Sequence, residues 1–457
     1  MGNWDQLRDR LDGDVLTRDD AGFEESRAVF NSAIETNPLA IARCASVEDV
    51  RRALRHARDA GLPLAVRSGG HSVAGASLVA DGLVVDLRGL NSVTVDPAAH
   101  TAVVGGGATW SEFDRACQPH GLATTGGRAS TTGVGGLTLG GGSGWLERKL
   151  GLACDNLLSV DLVTAAGEQI TASGTENPDL FWALHGGGGN FGIATSFTFR
   201  LHPLTACSIA LLLWPSEHGP VVTRRWRDLM LDAPEEFGGA SAYLTGPPED
   251  FVGELVGKRC AGAIVTCMGT SDELRAFIAP LLELAPPVEL VIDIPYADMQ
   301  CMIDDPPGMR NYWSADYLSE LPDAAVDVFC AAGEDMVSPS ASQLLMAPWG
   351  GAVARNAGTS AMANRDVPWV VHPFGLWTDP ADDDRVRDWV RGVGADLGPW
   401  TTGATYLNFI GDEGADRVAA GFGPHYPKLA AIKALYDPDN VFNRWHNVAP
   451  RVESLQG

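Results

Sequence analysis

Arg67-Ser-Gly-Gly-His-Ser72 is the first segment whose residue types could do chemistry. Its two consecutive glycines allow neighbouring backbone amides to curl into an anion-binding nest, and the arginine beside them suits a pyrophosphate. The alternative is an ordinary Gly-Gly turn that carries a surface histidine. A serine-hydrolase elbow is excluded, because Gly70-His-Ser-Val-Ala74 ends in alanine and no helix pattern follows the serine.

A longer run of glycine and hydroxyl residues extends from Gly126 to Gly144 and reads GGRASTTGVGGLTLGGGSG. It lacks the lysine that a P-loop requires, and it is not the Gly-x-Gly-x-x-Gly turn that binds dinucleotides between a strand and a helix. The run has no good packing explanation, so we expect it to cradle phosphates in a fold other than these two. The alternative is a flexible surface loop.

The elements that must position these segments are short strands and short helices, which indicates an α+β fold. The chain has 53 glycines, and their main clusters punctuate β-rich sequence in its first half. This is typical of a backbone that must approach a ligand closely. Residues 193–201 alternate cleanly, with Ile193, Phe197 and Leu201 on one side, which predicts a half-buried strand.

A second domain is expected after a change of composition near Pro203. Residues 206–400 hold most of the tryptophans and few glycine runs. Within them, residues 271–284 predict a helix. In the tail, residues 405–410 predict a strand and residues 427–436 predict a helix.

The charge and the cysteines exclude several classes of protein. The formal net charge is −25, which repels phosphate backbones and argues against binding to nucleic acid or to an anionic membrane. No stretch of about 18 apolar residues predicts a membrane helix, and no signal peptide is recognisable. The eight cysteines are scattered, so neither a zinc site nor a disulfide framework is expected, and a reducing cytoplasm is predicted.

Six segments together carry a family resemblance. They are Arg67–His71, Gly133–Gly144, Gly151–Asn156, Phe181–Gly192, Tyr406-Leu-Asn408 and Asp437–Phe442. In this order they resemble the berberine-bridge-enzyme-like branch of the vanillyl-alcohol-oxidase flavoproteins, over residues 38 to 450. The resemblance implies a PCMH-type FAD-binding domain in two parts, residues 1–205 and 401–457. A substrate domain built on an antiparallel sheet with helices, residues 206–400, is inserted between them.

The resemblance also implies how FAD is held. His71 matches the histidine that bonds covalently to the flavin, and Ala129 stands where most members carry a second, cysteine attachment. A bacterial enzyme with FAD attached through His71 only is therefore expected. The implied cofactor-binding residues besides His71 are Arg67, Ser68, Gly69, Gly70, Ser72, Ala129, Ser130, Thr131, Gly133, Gly135, Gly136, Gly140, Gly141, Gly142, Asn156, Ile193, Asn408 and Asn447. Trp445 departs from the family pattern at the adenine end, and no metal is expected.

Two residues match the family's catalytic positions. Thr132 occupies the place that gates oxygen near the flavin, and Tyr406 occupies that of a candidate base. A phenol with a pKa of about 10 needs a positive neighbour, usually arginine, to act as a base at neutral pH. The alternative for Tyr406 is a core aromatic. His185, His372 and His425 have no partner spacing and are expected to be structural or on the surface.

The predicted function is an FAD-dependent oxidase that acts on a small molecule. A C–H bond next to an alcohol or amine loses hydride to flavin N5, and O2 reoxidises the flavin to give H2O2. The first alternative is a flavin-N5-oxide monooxygenase of secondary metabolism. A dehydrogenase and a catalytically silent flavin-binding protein also stay open, while a hydrolase would need a triad that cannot be assembled. The sequence indicates neither the substrate nor the oligomeric state.

Overall fold

A computed structural model describes residues 4–451 of the 457-residue chain. Two sheets and a short strand pair occupy the first 203 residues, and one large sheet lies between residues 208 and 377. Helices cover these sheets, and the C-terminal helices pack back onto the core of the first part. The mixture of helices with mainly antiparallel sheets confirms the predicted α+β class.

The first sheet carries the Arg67–Ser72 loop. Its strand order is Asp14–Thr17, Ala40–Arg43, Leu83–Asp86 and Leu64–Arg67. The first pair is antiparallel, and the other two pairs are parallel. The helix Val47–Asp59 makes the crossover to the edge strand Leu64–Arg67, and Ser46 caps it by accepting a hydrogen bond from the backbone N–H of Asp49. The loop that holds His71 therefore leaves directly from the end of an edge strand.

The second sheet is antiparallel and has five strands. Their order is Val93–Asp96, Thr101–Gly105, Ile193–Arg200, Leu157–Val163 and Gln169–Ser173. Ile193, Phe197 and Leu201 are all buried on one side of the central strand, as the alternation predicts. A separate short pair joins Leu122–Ala123 to His202–Pro203.

The large sheet is antiparallel and has eight strands. They are Val288–Asp293, Ser208–Pro215, Arg259–Cys267, Phe237–Thr245, Gln343–Pro348, Trp369–Trp377 and Arg310–Trp313 in order, with Asp316–Leu318 also paired to Trp369–Trp377. Side chains alternate between the two faces, because successive residues of a strand point to opposite sides. Leu344, Met346 and Val371 join the buried core under the helices, whereas Leu345 and His372 line a cleft on the other face.

Sixteen α-helices occur within the described residues. Before the large sheet they are Trp4–Arg8, Phe23–Arg27, Val47–Asp59, Trp110–Cys117, Val134–Leu139, Glu147–Leu150 and Pro178–Ala183. Among its strands they are Gly219–Leu231, Ser271–Phe277, Ala279–Leu282, Tyr296–Met299, Asp323–Glu334 and Gly351–Arg355, with Asp383–Asp396 following. The last two are Ala415–Phe422 and Tyr426–Tyr436, so the predicted helix over residues 427–436 is confirmed.

One predicted element is wrong, and another is divided in two. Residues 405–410 form no strand; they contain a 3-10 turn over Leu407–Phe409, closed by the Phe409 N–H on the Tyr406 carbonyl at 2.9 Å. The segment lies between the cleft and the core and has no strand ladder of its own. The predicted helix over 271–284 is present but breaks at Ile278 into two, because Pro280 has no N–H to continue the hydrogen bonding of the first helix and instead occupies the first turn of the second.

A buried ion pair fastens the C-terminal tail to the first part of the chain. Lys433 donates to the Asp437 carboxylate at 2.6 Å, and both side chains are fully buried. The same ammonium also donates to the carbonyls of Asn190 and Phe442, at 2.6 and 2.7 Å. The Asp437 carboxylate in turn accepts the backbone N–H groups of Val441 and Phe442. All donors and both charges are thus satisfied, which a buried pair requires.

The sequence analysis expects no disulfide framework, no metal site and no membrane helix, and the described residues can be compared with each expectation. All eight cysteines are free, and seven of them are buried. Among residues 4–451 no cluster of three histidine, cysteine or acidic side chains could hold a metal ion. In the same part of the chain, no helix has both the length and the apolar character needed to cross a membrane.

The Lys433–Asp437 pair generates a stability prediction. Lys433→Met should lower the free energy of unfolding by about 3–5 kcal/mol, because it leaves a buried carboxylate without its cation. The matched control is Lys428→Met on the same helix. Lys428 is half exposed and pairs with Asp179 at 3.5 Å, so the loss should stay below about 1 kcal/mol. Urea unfolding measures both, and equal losses would contradict the structural role of the pair.

Candidate active site

One long cleft separates two glycine-rich loops, residues 67–72 and 126–144, from the large sheet. They are called the glycine loops below. The glycine-rich side contributes Gly69, Gly70, Gly133, Gly135 and Gly136, and the sheet contributes residues that the sequence analysis did not place in a site. The space between protein atoms amounts to about 1820 Å³, the open mouth included. The cleft is therefore built from both parts of the chain, with residues 407–410 and 442–446 completing it.

The two glycine loops touch backbone to backbone. A β-carbon on Gly69 would lie closer than 3.0 Å to the nitrogen of Gly133, and a β-carbon on Gly133 would lie equally close to the nitrogen of Gly69. Gly70 adds a left-handed conformation, with φ of 80°. Because side chains are excluded at the contact, the backbones of both loops reach the cleft together.

His71 lies at this contact. Its Nε2 is 2.8 Å from the Thr131 hydroxyl, and its Nδ1 is 3.3 Å from the Thr132 hydroxyl. Phe30 stacks on the imidazole with ring centroids 4.1 Å apart. Burial, and then the charge of Arg67, lower the pKa of His71 to about 4. The imidazole is therefore neutral at physiological pH, which keeps a ring nitrogen available as a nucleophile.

Arg67 does not line the cleft. Its guanidinium donates to the backbone carbonyls of Ser26 and Ala28 and so fastens the loop from behind. Ser68 does line it, and its buried hydroxyl has no hydrogen-bond partner among the described residues. Ser72 lines it as well and accepts a hydrogen bond from the N–H of Ala76. In this motif the serines and the glycine backbone therefore face the cleft, whereas the arginine does not.

Ala129, Ser130 and Thr131 have different surroundings. Ala129 lines the cleft, as a vacated attachment position would. Ser130 points away from it, since its N–H and hydroxyl both donate to the Asp304 carboxylate, at 2.7 and 2.5 Å. Thr131 does not line the cleft itself, and its hydroxyl bonds the His71 ring. Thr132 lines the cleft, and its carbonyl accepts the backbone N–H of Trp110.

Tyr406 lies behind the cleft rather than in it. The phenol oxygen accepts hydrogen bonds from the backbone N–H groups of Gly142 and Ser143, at 2.8 and 3.0 Å, and from Asn408 at 3.1 Å. Burial raises the pKa of Tyr406 well above its usual value despite these donors. The buried Arg365 is paired with Asp155 and not with Tyr406. The role of Tyr406 as a base stays a prediction, which this burial weakens.

The remaining predicted residues divide into two groups. Asn408 and Ile193 line the cleft. Gly140, Gly141 and Gly142 do not; β-carbons there would collide with Asn408, Met362 and Ala153, so these glycines make room for protein rather than for a ligand. Asn156 also lies elsewhere and bonds His202 at 2.7 Å. Asn447 lies outside the cleft, with an unpartnered buried oxygen.

His372 is a cleft residue that the sequence analysis misassigned. Its Nδ1 lies 2.8 Å from the carbonyl oxygen of Ser314. A carbonyl only accepts, so Nδ1 carries the proton and Nε2 presents a lone pair when the ring is neutral. Burial lowers the pKa of His372 to about 4. Its Nε2 has no hydrogen-bond partner among the described residues, and the ring lines the cleft. His185 and His425 do bond backbone carbonyls, away from the cleft.

An aromatic wall connects the two histidines. Phe30 stacks on His71 and contacts Trp313, with centroids 6.0 Å apart. Trp313 in turn contacts His372 at 5.8 Å and Phe374 at 4.2 Å. The strand Trp369–Trp377 places His372 and Phe374 on one face, two residues apart. A histidine between the apolar residues of this strand was the one signal for His372 that the sequence offered.

The cleft fits the cofactor that the resemblance implies. Glycine backbones and the unpartnered Ser68 hydroxyl offer donors to phosphates, and neutral His71 stands in the same cleft. Arg444, which the sequence analysis missed, adds an exposed cation to the lining without an ion-pair partner among the described residues. Trp445 packs across Gly188, where a β-carbon would collide with its ring.

Comparisons with known proteins agree with this geometry. Residues 38–173 match a family model described as an FAD binding domain, and residues 405–449 match one described as berberine and berberine like. The chain is 32% identical to (R)-6-hydroxynicotine oxidase of Paenarthrobacter nicotinovorans, over 96% of this chain and 97% of that protein. It is 31% identical to an uncharacterised FAD-linked oxidoreductase of Bacillus subtilis, over 98% and 99%. The crystal structure of 6-hydroxy-D-nicotine oxidase from Arthrobacter nicotinovorans superimposes with a TM-score of 0.83 at 28% identity, covering 96% of this chain and 98% of that one.

The contact between the loops can be tested by adding one methyl group. Gly133→Ala should lower the free energy of unfolding by about 1–3 kcal/mol or more, because overpacking forces the backbones apart. It should also reduce the bound flavin per protein. The control is Gly174→Ala, where a β-carbon meets nothing within 4 Å and both properties should be retained. Denaturant unfolding and flavin absorbance provide the measurements, and a Gly133→Ala protein indistinguishable from the control would contradict the contact.

Proposed function

Because the chain belongs to the berberine-bridge-enzyme-like family of FAD-linked oxidoreductases, we propose that it is an oxidase of small molecules with a C–H bond next to an alcohol or an amine. The observation that carries the proposal is the presence of neutral His71 and a partnerless His372 nitrogen in one cleft. The similarity to an oxidase supports reoxidation by O2 and favours it over the monooxygenase alternative.

His71 is proposed as the single covalent attachment to FAD. Its neutrality and its two threonine contacts support this role, since they fix the ring beside the cleft. Ala129 lines the same cleft but offers no sulfur. FAD, when bound, supplies the hydride acceptor and passes its electrons on to O2, which becomes H2O2. The chain supplies position, charge and proton acceptors.

The other residues of the cleft are proposed to hold FAD without covalent bonds. The backbone of Gly69, Gly70 and Gly133 and the Ser68 hydroxyl are free to donate to phosphates. Arg444 is proposed to offset their negative charge, in place of Arg67, whose guanidinium is committed to backbone carbonyls. This matters in a chain with a net charge of −25, which otherwise repels a pyrophosphate.

His372 is proposed as the acceptor of the substrate proton. Its Nδ1–H is fixed on the Ser314 carbonyl, so Nε2 is the nitrogen that can accept. The lowered pKa keeps Nε2 unprotonated through the neutral range, so its lone pair is free at the start of each turnover. Phe409 stacks on the imidazole at 4.2 Å and holds its orientation.

Tyr406 is proposed as a positioning residue. Its oxygen ties the Gly142–Ser143 turn to Asn408, which lines the cleft and also donates to the carbonyl of Leu137. Removing that oxygen would leave two buried backbone N–H groups without an acceptor. Its contribution to proton transfer is therefore indirect.

A substrate screen coupled to peroxide detection tests the proposed function. Purified holoprotein should release one H2O2 for each substrate molecule oxidised. Reduction of the flavin without peroxide, sustained only by an artificial electron acceptor, would identify a dehydrogenase. Incorporation of oxygen from O2 into the product would identify the monooxygenase alternative.

The attachment of FAD can be mapped chemically. Acid-precipitated protein should stay yellow, and the flavin should be found on the peptide that contains His71. His71→Ala should release its flavin on precipitation, because no cysteine is among the described residues that line the cleft. Ala129→Cys in the native background provides a gain-of-attachment comparison, since the loop around it is unchanged. Free flavin from the native protein would overturn the proposal.

The proton acceptor can be assigned with two substitutions. His372→Asn retains a donor for the Ser314 carbonyl but removes the accepting nitrogen, so anaerobic flavin reduction should slow by about 10²–10⁴-fold. Tyr406→Phe should lower stability by about 1–3 kcal/mol, because it leaves buried N–H groups unsatisfied, with a much smaller effect on reduction. Stopped-flow spectroscopy measures both rates. The reverse ranking would restore Tyr406 as the base.

The pH dependence follows from the same assignment. Because the pKa of His372 is lowered to about 4, its neutral form predominates at every pH above that value. The rate of reduction should therefore be constant with respect to this group through the neutral range and fall only as the pH approaches about 4. A rise of activity centred near the ordinary histidine pKa, absent from His372→Asn, would contradict the buried environment.

A further inference from the structure

A segment between two strands of the large sheet holds the second glycine loop. This segment is residues 296–304, and its contacts with the loop recur at every fourth residue. The Tyr296 hydroxyl accepts the backbone N–H of Gly126 at 3.2 Å. The Gln300 side chain donates to the carbonyl of Gly127 at 2.6 Å. The large-sheet part of the chain is therefore docked directly on the loop that reaches the cleft.

Asp304 makes the third contact of this series. Its carboxylate accepts the N–H of Ser130 at 2.7 Å and the Ser130 hydroxyl at 2.5 Å. Hydrogen bonds to a charged acceptor are stronger than those between neutral groups. The Ser130 carbonyl is held from the other side, since it accepts the N–H of Ser111 at 2.9 Å. Ile303 and Asp305, on either side of Asp304, line the cleft, so both parts of the chain fix Ser130 at the edge of the cleft.

Ser130 directly precedes the residue that bonds the His71 ring. The Thr131 hydroxyl lies 2.8 Å from Nε2, and the Thr132 hydroxyl lies 3.3 Å from Nδ1. Thr132 lines the cleft and Thr131 does not, so Nδ1 is the ring nitrogen on the cleft side. A neutral imidazole has a proton on one nitrogen and a lone pair on the other. When Thr131 accepts a proton carried by Nε2, the lone pair of Nδ1 is available to the cleft.

We propose that Asp304 is a positioning residue for the attachment of FAD to His71. It holds Ser130, and Ser130 thereby places the Thr131 hydroxyl where it accepts the N–H of Nε2. This rests on the proposed attachment at His71 and goes beyond it, because Asp304 lies 174 positions after Ser130 and belongs to the large-sheet part. Attachment then depends on the docking of the two parts, and a chain in which they have not docked binds FAD without bonding to it.

The attachment reaction balances with O2 as the final oxidant. A C–N bond forms between Nδ1 of His71 and the methyl carbon at position 8 of the flavin. One C–H bond of that methyl group and the N–H bond of Nε2 break, and both protons leave. Two electrons pass through the flavin to O2, which becomes H2O2 with these protons. Nε2 then has a lone pair, and the Thr131 hydroxyl can donate the hydrogen bond that it accepted before, because a hydroxyl does both.

The test follows attachment over time in the full-length protein. Cells starved of riboflavin provide protein without flavin, and saturating FAD is then added in air. Samples are precipitated with acid, and the flavin fluorescence of the pellet gives the rate of attachment. Asp304→Asn and Ser130→Ala should each slow attachment by about tenfold or more, because each removes a hydrogen bond between Ser130 and a charged carboxylate.

Further variants separate positioning from a general loss of stability. Asp298→Asn removes the same charge from an exposed position of the same segment and should attach FAD at the native rate. Thr131→Val keeps the branched shape without the hydroxyl and should slow attachment at least as much as Asp304→Asn. Because Asp304 acts through Thr131, Asp304→Asn should cause little further slowing in the Thr131→Val background. Native rates in both Asp304→Asn and Ser130→Ala, or slowing that multiplies in the double variant, would overturn the inference.

A second measurement examines the His71 ring without any attachment. Nitrogen-15 NMR of the histidine-labelled, flavin-free protein shows which ring nitrogen carries the proton, and His71→Ala identifies the signals. The native protein should carry the proton on Nε2, and Asp304→Asn should show both forms. A proton on Nδ1 in the native protein, or an unchanged spectrum in Asp304→Asn, would overturn the inference.

The two measurements separate this inference from the proposed attachment. A native protein that binds FAD without bonding to it, but gives the expected NMR spectra, would contradict attachment at His71 and leave the positioning by Asp304 standing. Attachment to His71 at the same rate in the native protein and in Asp304→Asn and Ser130→Ala would support the attachment and contradict the inference.

Discussion

The backbone contact between Gly69 and Gly133 is the constraint on which the cleft depends. Neither position can carry a β-carbon without displacing the other loop. One loop extends from an edge strand of the first sheet, and the other precedes the helix Val134–Leu139. Their contact brings His71 against Thr131 and Thr132, which belong to the opposite loop. The chemistry proposed for His71 therefore follows from the absence of side chains two residues away.

The large sheet supplies the other wall, and its strand periodicity explains how one element serves two purposes. Alternate residues of Gln343–Pro348 and Trp369–Trp377 join the core beneath the helices, and their neighbours face the cleft. His372 and Phe374 are thereby fixed by the same pairing that stabilises the sheet. The C-terminal tail then closes the arrangement, since Lys433 ties residues 437 and 442 to the Asn190 carbonyl.

The glycine-rich wall of the cleft can be predicted from the sequence far better than the wall formed by the large sheet. The signals of the first are local, whereas those of the second join residues far apart in the chain. The glycine loops, the strand Ile193–Arg200 and the helix Tyr426–Tyr436 follow from spacing and conformational preference within a few residues. The direction of Arg67 does not, because its partners are the carbonyls of Ser26 and Ala28, some forty positions earlier. Asp305 reaches the cleft through a loop return that leaves no local pattern, and His372 reaches it through sheet pairing, of which a histidine between apolar neighbours is the only local sign. Gly140 and Gly142 show the converse, since they lie outside the cleft and glycine there leaves room for protein side chains.

We propose one account of these features: backbone and hydroxyl groups on one wall of the cleft hold the cofactor, and the aromatic wall opposite them receives the substrate. The most direct test is a crystal structure of the FAD-loaded protein. The account predicts a flavin ring between the His71 loop and the wall of Trp313, His372 and Phe374, with continuous density from the ring to His71 and none to Ala129. A flavin bound outside this cleft, or one inside it without a bond to His71, would contradict the account.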